Sequence, residues 1–510
     1  MTLLDEHERT TAGGIVDGAR VCGERRLRAD AVVIGSGAGG APVAKALAEA
    51  GRRVVVLEDG AHFTRDQLTA RPRDMTALLY RDAGQASTVG TPPIMLPTGR
   101  ALGGTTLVNS GTCFRAPHHV QQRWVDELGL DDLGPGRLDA AYARVEREIG
   151  VARVPEQLAG ANALIAKRGA DRLGWSGHFL DRNARGCQGS GVCAFGCPTG
   201  AKQHAGEVYM NAAHAAGAIT YTNARATRIV LDGDTATGVV ARTHGGGDVF
   251  VTADTTIVAA GTLHTPLLLA ASGLRHPHLG RHLSIHPATA AWGIMDEVVD
   301  MARGVPQSYG IDEFASEGIM LEGIAGPPDY LAMAVPFSGP AHRELMLDYR
   351  HVAQFGLMLA DTSRGHVALG RLARHAAPGR PIVRYDLNQR DVDTIKNGVA
   401  RLAELLLAAG ARRVVLPLAT LPQITPQQGP AAILRQPVAA RDLKLMAFHP
   451  LGTARMAARP ADGVTDPTNK VHGTTNLYVC DGAAVPPAVG VNPQLTIMAL
   501  ATRLADRLLA

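Results

Sequence analysis

Two short β-branched runs with a glycine-rich turn between them constrain this chain most. Ala31-Val32-Val33-Ile34 leads into Gly35-Ser36-Gly37-Ala38-Gly39-Gly40. An Ala-rich segment then runs to Gly51, and Val54-Val55-Val56-Leu57 closes on Glu58. Apolar β-branched runs of this length read as buried strands, and the piece between them as a helix. Gly35, Gly37 and Gly40 stand in G-x-G-x-x-G spacing. Such glycines permit a tight turn and a close backbone approach, and the helix behind them turns free N–H groups and a positive dipole end toward a pyrophosphate. Glu58 lies 18 residues beyond Gly40, close to the roughly 20 expected of a ribose-binding acid. The order strand, turn, helix, strand, acid predicts a dinucleotide-binding α/β unit. By itself it does not separate FAD from NAD.

A second strand-like segment far down the chain narrows the choice. Thr256-Ile257-Val258-Ala259-Ala260-Gly261-Thr262 is followed by Thr265-Pro266 and a helical Leu267-Leu268-Leu269. A nucleotide domain split in this way is typical of flavoproteins related to glutathione reductase.

Several further motifs appear in a telling order. Gly99-Arg100-Ala101-Leu102-Gly103-Gly104-Thr105-Thr106 leads to Asn109. Leu279-Gly280-Arg281-His282-Leu283 precedes His286-Pro287. Phe448-His449-Pro450-Leu451-Gly452-Thr453 is followed by Gly490-Val491-Asn492-Pro493-Gln494. With the glycine turn and Glu58, this series resembles the glucose–methanol–choline (GMC) oxidoreductases over nearly the whole length. It is similar in particular to bacterial FAD-dependent glucose and alcohol dehydrogenases and to long-chain fatty alcohol oxidases. The resemblance implies bound FAD and oxidation of an alcohol to an aldehyde or ketone by hydride transfer to flavin N5. It implies that Gly35, Gly37, Gly40, Glu58 and Arg100 hold the cofactor together with Gly103, Gly104 and Asn109. Ala260, Asp481 and Pro493 complete that set. Some family members attach FAD through a His just before the Asn of the Gly-Gly loop. Val108 holds that position here and cannot form the bond, which implies noncovalent FAD.

An alcohol holds its hydroxyl proton too tightly to lose it to water at neutral pH, so hydride departure needs a base. Imidazole, with an ordinary pKa of about 6.5, is suited to the task. Among 19 histidines, the family context selects His449 as general base. Asn492 is expected to orient the substrate hydroxyl through its amide. A helix from about Pro493 to Leu509 would turn its N-terminus to the flavin N1/O2 edge, where negative charge develops on reduction. His286 reads as a structural hydrogen-bonding residue.

Cys187, Cys193 and Cys197 fall within eleven residues on a glycine-rich loop closed by Pro198. Thiolates are soft ligands for iron–sulfur clusters or zinc. The C-x5-C-x3-C spacing resembles the [3Fe–4S] loop of the bacterial glucose dehydrogenases, and a cluster there would relay electrons to an acceptor protein or quinone. Unliganded structural thiols, zinc with His204, and a disulfide are the other readings. Without a cluster, direct reduction of O₂ stays open. A long-chain fatty alcohol or sterol oxidase is the rival enzyme, and a flavin-binding subunit without turnover is the rival of another class.

The fold class expected is α/β with an α+β substrate domain. A discontinuous Rossmann-like FAD-binding domain is placed at 29–120, 215–290 and 440–510, after a lead-in at 1–28. A connecting region at 121–214 carries the cysteine loop, and 291–439 forms a substrate domain with an antiparallel sheet. That domain includes Val367-Ala368-Leu369-Gly370, Pro381 to Asp386, and a helix from Asp391 to Ala409 closed by Gly410. Tyr330, Phe337, Phe355 and Met358 are candidates to line the pocket. A formal charge of +4 over 510 residues, with no basic run, gives no footprint for nucleic acid. No apolar stretch reaches 18 residues, so no membrane-spanning helix is expected. With no secretory or twin-Arg signal near the start, cytoplasmic residence is the expectation, with a peripheral or partner-exported location as the alternative.

Overall fold

Both β-branched runs pair side by side, in parallel, at the centre of an eight-stranded sheet. In this computed structural model, which describes residues 14–368 and 380–510, Arg25–Ile34 lies between Val54–Leu57 and the long strand Asp248–Val258. Ile219–Thr222 and then Ile15–Asp17 extend the sheet beyond Val54–Leu57. On the other side, Asp248–Val258 is antiparallel to Thr235–Thr243 through its first half and parallel to Leu477–Val479 through its last residues. Strands from the start, middle and end of the chain therefore build one sheet. Pairing begins at Ile15, inside the segment read as a lead-in; the first 13 residues of that segment lie outside the described residues.

Helix Gly40–Glu49 packs on the C-terminal helix Gln494–Leu509, and Asp139–Glu148 covers the latter's far side. The apolar positions Leu495, Met498, Ala501 and Leu504 are buried against this layer. Pro493 caps the C-terminal helix, whose regular turns begin one residue later, at Gln494.

The second sheet has seven strands, all antiparallel. Its order is Gln423–Ile424, Arg413–Val415, Ala288–Ile294, Val352–Leu359, Ile319–Gly323, Tyr309–Ile311 and Gly177–Phe179. Helices Gln389–Ala408 and Ala161–Leu173 back it and pack on each other, giving a separate apolar core. The first of these begins two residues before the expected Asp391, because the Asn388 side chain accepts from the Asp391 N–H at 2.9 Å and caps it. Gly410, at φ 103°, follows its end as expected. His366–Val367 pairs with Val383–Arg384; Leu369 and Gly370 lie outside the described residues. The result is a mixed α/β fold with a parallel nucleotide-type sheet and an antiparallel sheet beside it. Among the described residues no helix is long and apolar enough to cross a membrane.

Candidate active site

The C-terminal ends of the parallel strands open onto a cavity of about 1020 Å³ that continues beneath the antiparallel sheet. Its lining includes Gly35, Gly37, Glu58, Arg100, Gly104, Asn109, Ala260, Asp481, Pro493, His449 and Asn492. Gly40 and Gly103 stand just behind it, and each has a packing reason for glycine. A Cβ on Gly40 would meet the Gly35 carbonyl oxygen at 2.0 Å, and one on Gly103 the Gly206 nitrogen and His204 Nδ1 at 2.9 Å. Gly35, at φ 101°, passes so close to Ala259 that a Cβ would fall 2.2 Å from its carbonyl oxygen. Gly37 differs. The nearest atom to its Cβ position is the Gly104 Cα at 3.9 Å, so this glycine keeps space open for a ligand rather than for the protein.

Glu58 is buried, and both its oxygens are engaged. Ser36 donates to Oε2 from its backbone N–H at 3.0 Å and its hydroxyl at 2.7 Å, and the Gly60 N–H donates to Oε1 at 2.7 Å. Burial raises its pKa, and these donors work against the shift. The Ser36 oxygen also accepts from the Gly103 N–H at 2.9 Å, which ties the glycine turn to the Gly-Gly loop. Ser36 is a residue the motif reading passed over. Next to Glu58, Asp59 faces Arg81 at 2.7 Å and Arg100 at 3.5 Å. Burial opposes its charge, but the two guanidinium groups outweigh that and hold the carboxyl below its ordinary value.

Further along the cavity, Asp481 accepts from the Gly261 N–H at 2.8 Å and the Thr265 hydroxyl at 2.6 Å, and from the Ala483 N–H at 2.7 Å. It joins the Ala260 turn to the chain ahead of the C-terminal helix. Asn109 donates to Gln494 Oε1 at the start of that helix and accepts from the Gly111 N–H at 3.1 Å. Beneath it, fully buried Lys202 donates to the carbonyls of Leu107, Asn109 and Cys193 at 2.6–2.8 Å. Burial pulls its pKa down to about 8, against the pull of Cys193 and Cys197. The arrangement fits FAD: a glycine cradle left open at Gly37, free N–H groups at two helix starts, and a long cavity connecting them. If Gly37 makes room for the cofactor, Gly37→Ala should leave the apoprotein's melting temperature unchanged. It should weaken FAD binding by about 1–3 kcal/mol, the usual cost of overpacking. Fluorescence titration of apoprotein with FAD measures this.

At the other end, His449 and Asn492 meet. Asn492 Nδ2 lies 3.3 Å from His449 Nε2. His449 Nδ1 and Asn492 Oδ1 are buried with no partner among the described residues. The His286 ring stands edge-on at 5.8 Å from that of His449, and its Nε2 accepts from the Gly490 N–H at 3.1 Å. His286 thus holds the turn that carries Asn492, from a left-handed backbone at φ 49°. Burial drives the pKa of both imidazoles down to about 3, helped at His449 by His286 and at His286 by Arg364 and Arg123. Both rings are neutral. The cavity that His449 and Asn492 line also carries apolar side chains, among them Ile324, Met333, Tyr330, Met358, Phe195 and Phe448. Of the four pocket candidates, Tyr330 and Met358 take this position, whereas Phe355 and Phe337 belong to the core of the antiparallel sheet.

Glu322 and Gln307 are residues that the sequence reading missed. Glu322 is the one acid in the strand Ile319–Gly323, where every residue is buried. A lone carboxyl in such a run was the available signal, because unpaired acids are rarely buried.

The cysteine loop departs from expectation. Cys187 packs against the core of the antiparallel sheet. Cys193 Sγ accepts from Arg182 Nη2 at 3.1 Å, and Cys197 Sγ lies 3.3 Å from the Thr199 hydroxyl. All six cysteines are free thiols. Among the described residues no three His, Cys, Asp or Glu side chains converge to hold a metal ion. The structure therefore does not support the [3Fe–4S] expectation, nor zinc with His204, nor a disulfide. The loop's path turns the three thiols to different partners, and it is braced to the Asn109 loop by Lys202 instead.

Comparison with known proteins decides the family. A GMC oxidoreductase pattern matches residues 76–288, and a second, C-terminal one matches residues 361–501. The chain belongs to the GMC oxidoreductase family. This GMC oxidoreductase is 41% identical to an uncharacterized GMC-type oxidoreductase of Mycobacterium tuberculosis over 95% of its own length and 76% of the relative's. It is 29% identical to a long-chain-alcohol oxidase of Arabidopsis thaliana, covering 95% of this chain and 67% of that one. Its fold matches the crystal structure of a pyridoxine 4-oxidase with a TM-score of 0.72 at 19% identity, over 94% of this chain and 98% of that one. The expected fold class and family thus agree with what is found, and the GMC family is one of flavoprotein oxidoreductases.

Proposed function

We propose that this GMC oxidoreductase oxidises an alcohol to an aldehyde or ketone. The observation that carries the reading is the meeting of His449 and Asn492, each with an unpartnered polar atom, in one cavity with the open glycine cradle. Bound FAD supplies the hydride acceptor and the route for electrons to an external acceptor, whether O₂, a quinone or a protein. Gly37 gives it room, Gly35, Gly40, Gly103 and Gly104 let the surrounding backbone pack closely, and Glu58, Arg100, Asn109, Ala260, Asp481 and Pro493 order the loops around it. His449, kept neutral by burial, takes the hydroxyl proton at Nε2 as the C–H bond breaks. Asn492 fixes the hydroxyl beside it. The apolar surround excludes water and receives the rest of the substrate. The FAD-binding segments are proposed as 29–120, 215–290 and 440–510, with 291–439 as the substrate domain.

The apolar lining favours an alcohol with an extended apolar body, and the Arabidopsis relatives carry the name of long-chain-alcohol oxidases. Mixing the holoprotein anaerobically with primary alcohols of increasing length tests this. Flavin bleaching should become more efficient as the chain lengthens; a preference for the shortest alcohols would contradict it. The attachment of the cofactor has its own test. Acid precipitation should release all flavin into the supernatant as FAD, since Val108 offers no nucleophile; flavin retained in the pellet would show attachment elsewhere.

A further inference from the structure

Three acceptors surround the end of one buried side chain. Lys202 Nζ donates to the carbonyls of Leu107, Asn109 and Cys193 at 2.6, 2.7 and 2.8 Å. An ammonium has three donors and no acceptor, whereas a neutral amine has two hydrogens and a lone pair. Three carbonyl partners thus fit only the charged form. The pKa of about 8 agrees, since the amine is then protonated at neutral pH.

No carboxylate balances this charge. The charged groups that act on Lys202 are Arg182, itself positive, and the thiols of Cys193 and Cys197. Arg182 is buried as well, and it gives its donors to the Ser110 carbonyl, from Nε at 2.9 Å, and to Cys193 Sγ at 3.1 Å. Burying a cation without a counter-ion is costly, and here two are buried side by side.

Both cations bear on one loop. Lys202 holds the carbonyls of Leu107 and Asn109, and Arg182 holds that of Ser110. Val108, Asn109, Ser110 and Gly111 line the cavity. The Asn109 amide in turn donates to Gln494, the first residue of the C-terminal helix and two beyond Asn492. The ammonium therefore lies one peptide unit from residues that line the cavity, on a loop tied to the helix start that follows Asn492.

We propose that Lys202 is a positioning residue for flavin reduction: its unbalanced charge, applied through the Asn109 loop, favours reduced over oxidised FAD and raises the potential of the flavin. Negative charge grows on a flavin that takes up a hydride, and a fixed cation in a water-poor interior lowers the cost of that charge. This role rests on FAD occupying the cavity and is independent of His449 as base. Unit charges about 10 Å apart, at an effective dielectric of about 20, shift an equilibrium roughly tenfold. The rival role is a brace that only joins the cysteine loop to the Asn109 loop. A brace changes the affinity for FAD in both oxidation states; a charge changes their ratio.

The test is the midpoint potential of the flavin, measured anaerobically against reference dyes with no alcohol present. Wild-type holoprotein should lie above free FAD. Lys202→Met, similar in length but uncharged, should keep its FAD and lose roughly tenfold in preference for the reduced form, about 30 mV for a two-electron couple. Lys202→Arg keeps the charge and should stay near the wild type. An unchanged potential in Lys202→Met would overturn the proposal, and is the result expected if a thiolate at Cys193 or Cys197 balances the ammonium. Equal falls in Lys202→Met and Lys202→Arg would mark a brace and overturn it too. If Lys202→Met fails to retain FAD, the wild type decides. Its fully reduced flavin should stay deprotonated at N1 below the pH at which free reduced FAD takes up that proton, as read from the absorbance of the reduced form. A protonated N1 there contradicts the proposal. A raised, Lys202-dependent potential in a protein that no alcohol bleaches would remove the proposed alcohol oxidation and leave the role of Lys202 standing.

Discussion

Replacing His449 with alanine should slow flavin reduction by alcohol roughly 10²–10⁴-fold, the usual worth of a general base, while FAD content stays as in the wild type. His449 meets the cavity through Nε2, and its only described polar partner is Asn492 at 3.3 Å. The neighbouring ring, His286, has its Nε2 committed to the Gly490 N–H. Because burial pushes the His449 pKa down to about 3, the ring is unprotonated at neutral pH. A limb near the ordinary imidazole value is therefore not expected from this residue. Asn492→Ala should also slow reduction, by less, since it removes orientation and leaves the base. Anaerobic stopped-flow measurement of flavin bleaching checks both. An unchanged rate in His449→Ala would take it out of the mechanism.

Gly39→Ala should be the most damaging single change in the nucleotide turn. A Cβ there would fall 1.6 Å from the Cys480 carbonyl oxygen and 2.6 Å from its carbon, both backbone atoms. Relief requires helix Gly40–Glu49 to move away from the end of strand Leu477–Val479. That movement would spoil the approach of the helix start to the cofactor and the position of neighbouring Asp481. The expected cost is about 1–3 kcal/mol or more in stability, with FAD lost on purification. Denaturant unfolding and flavin content measure the two effects. The contrast with Gly37→Ala is diagnostic, since one methyl meets protein and the other meets only the cavity.

The glycine framework was legible because its information is local. Gly35 to Gly40 and Glu58 sit at fixed spacing, so a strand, turn and helix can be read from one stretch, and His449 and Asn492 were carried by motif order. Long-range bonds were not legible in the same way. Ser36 matters because it faces both Glu58 and Gly103, 22 and 67 residues away. Glu322 escapes a local reading because strand register, not sequence spacing, sets it between Gly310 and Gly356 at the cavity. The cysteine loop failed for the related reason that close spacing in sequence does not make side chains converge. Arg182, Thr199 and the core of the antiparallel sheet each take one thiol. Gly39 was overshadowed by the motif positions around it, although the close approach of Cys480 makes it the most crowded of the four glycines in the turn.

One anaerobic single-turnover experiment tests the central claim most directly. Holoprotein is mixed with a long-chain primary alcohol in the absence of oxygen, and flavin absorbance and carbonyl product are measured together. The account predicts complete bleaching with one aldehyde formed per FAD, slowed when the carbinol carbon carries deuterium. Flavin that stays oxidised with every alcohol offered, in protein fully loaded with FAD, would contradict it.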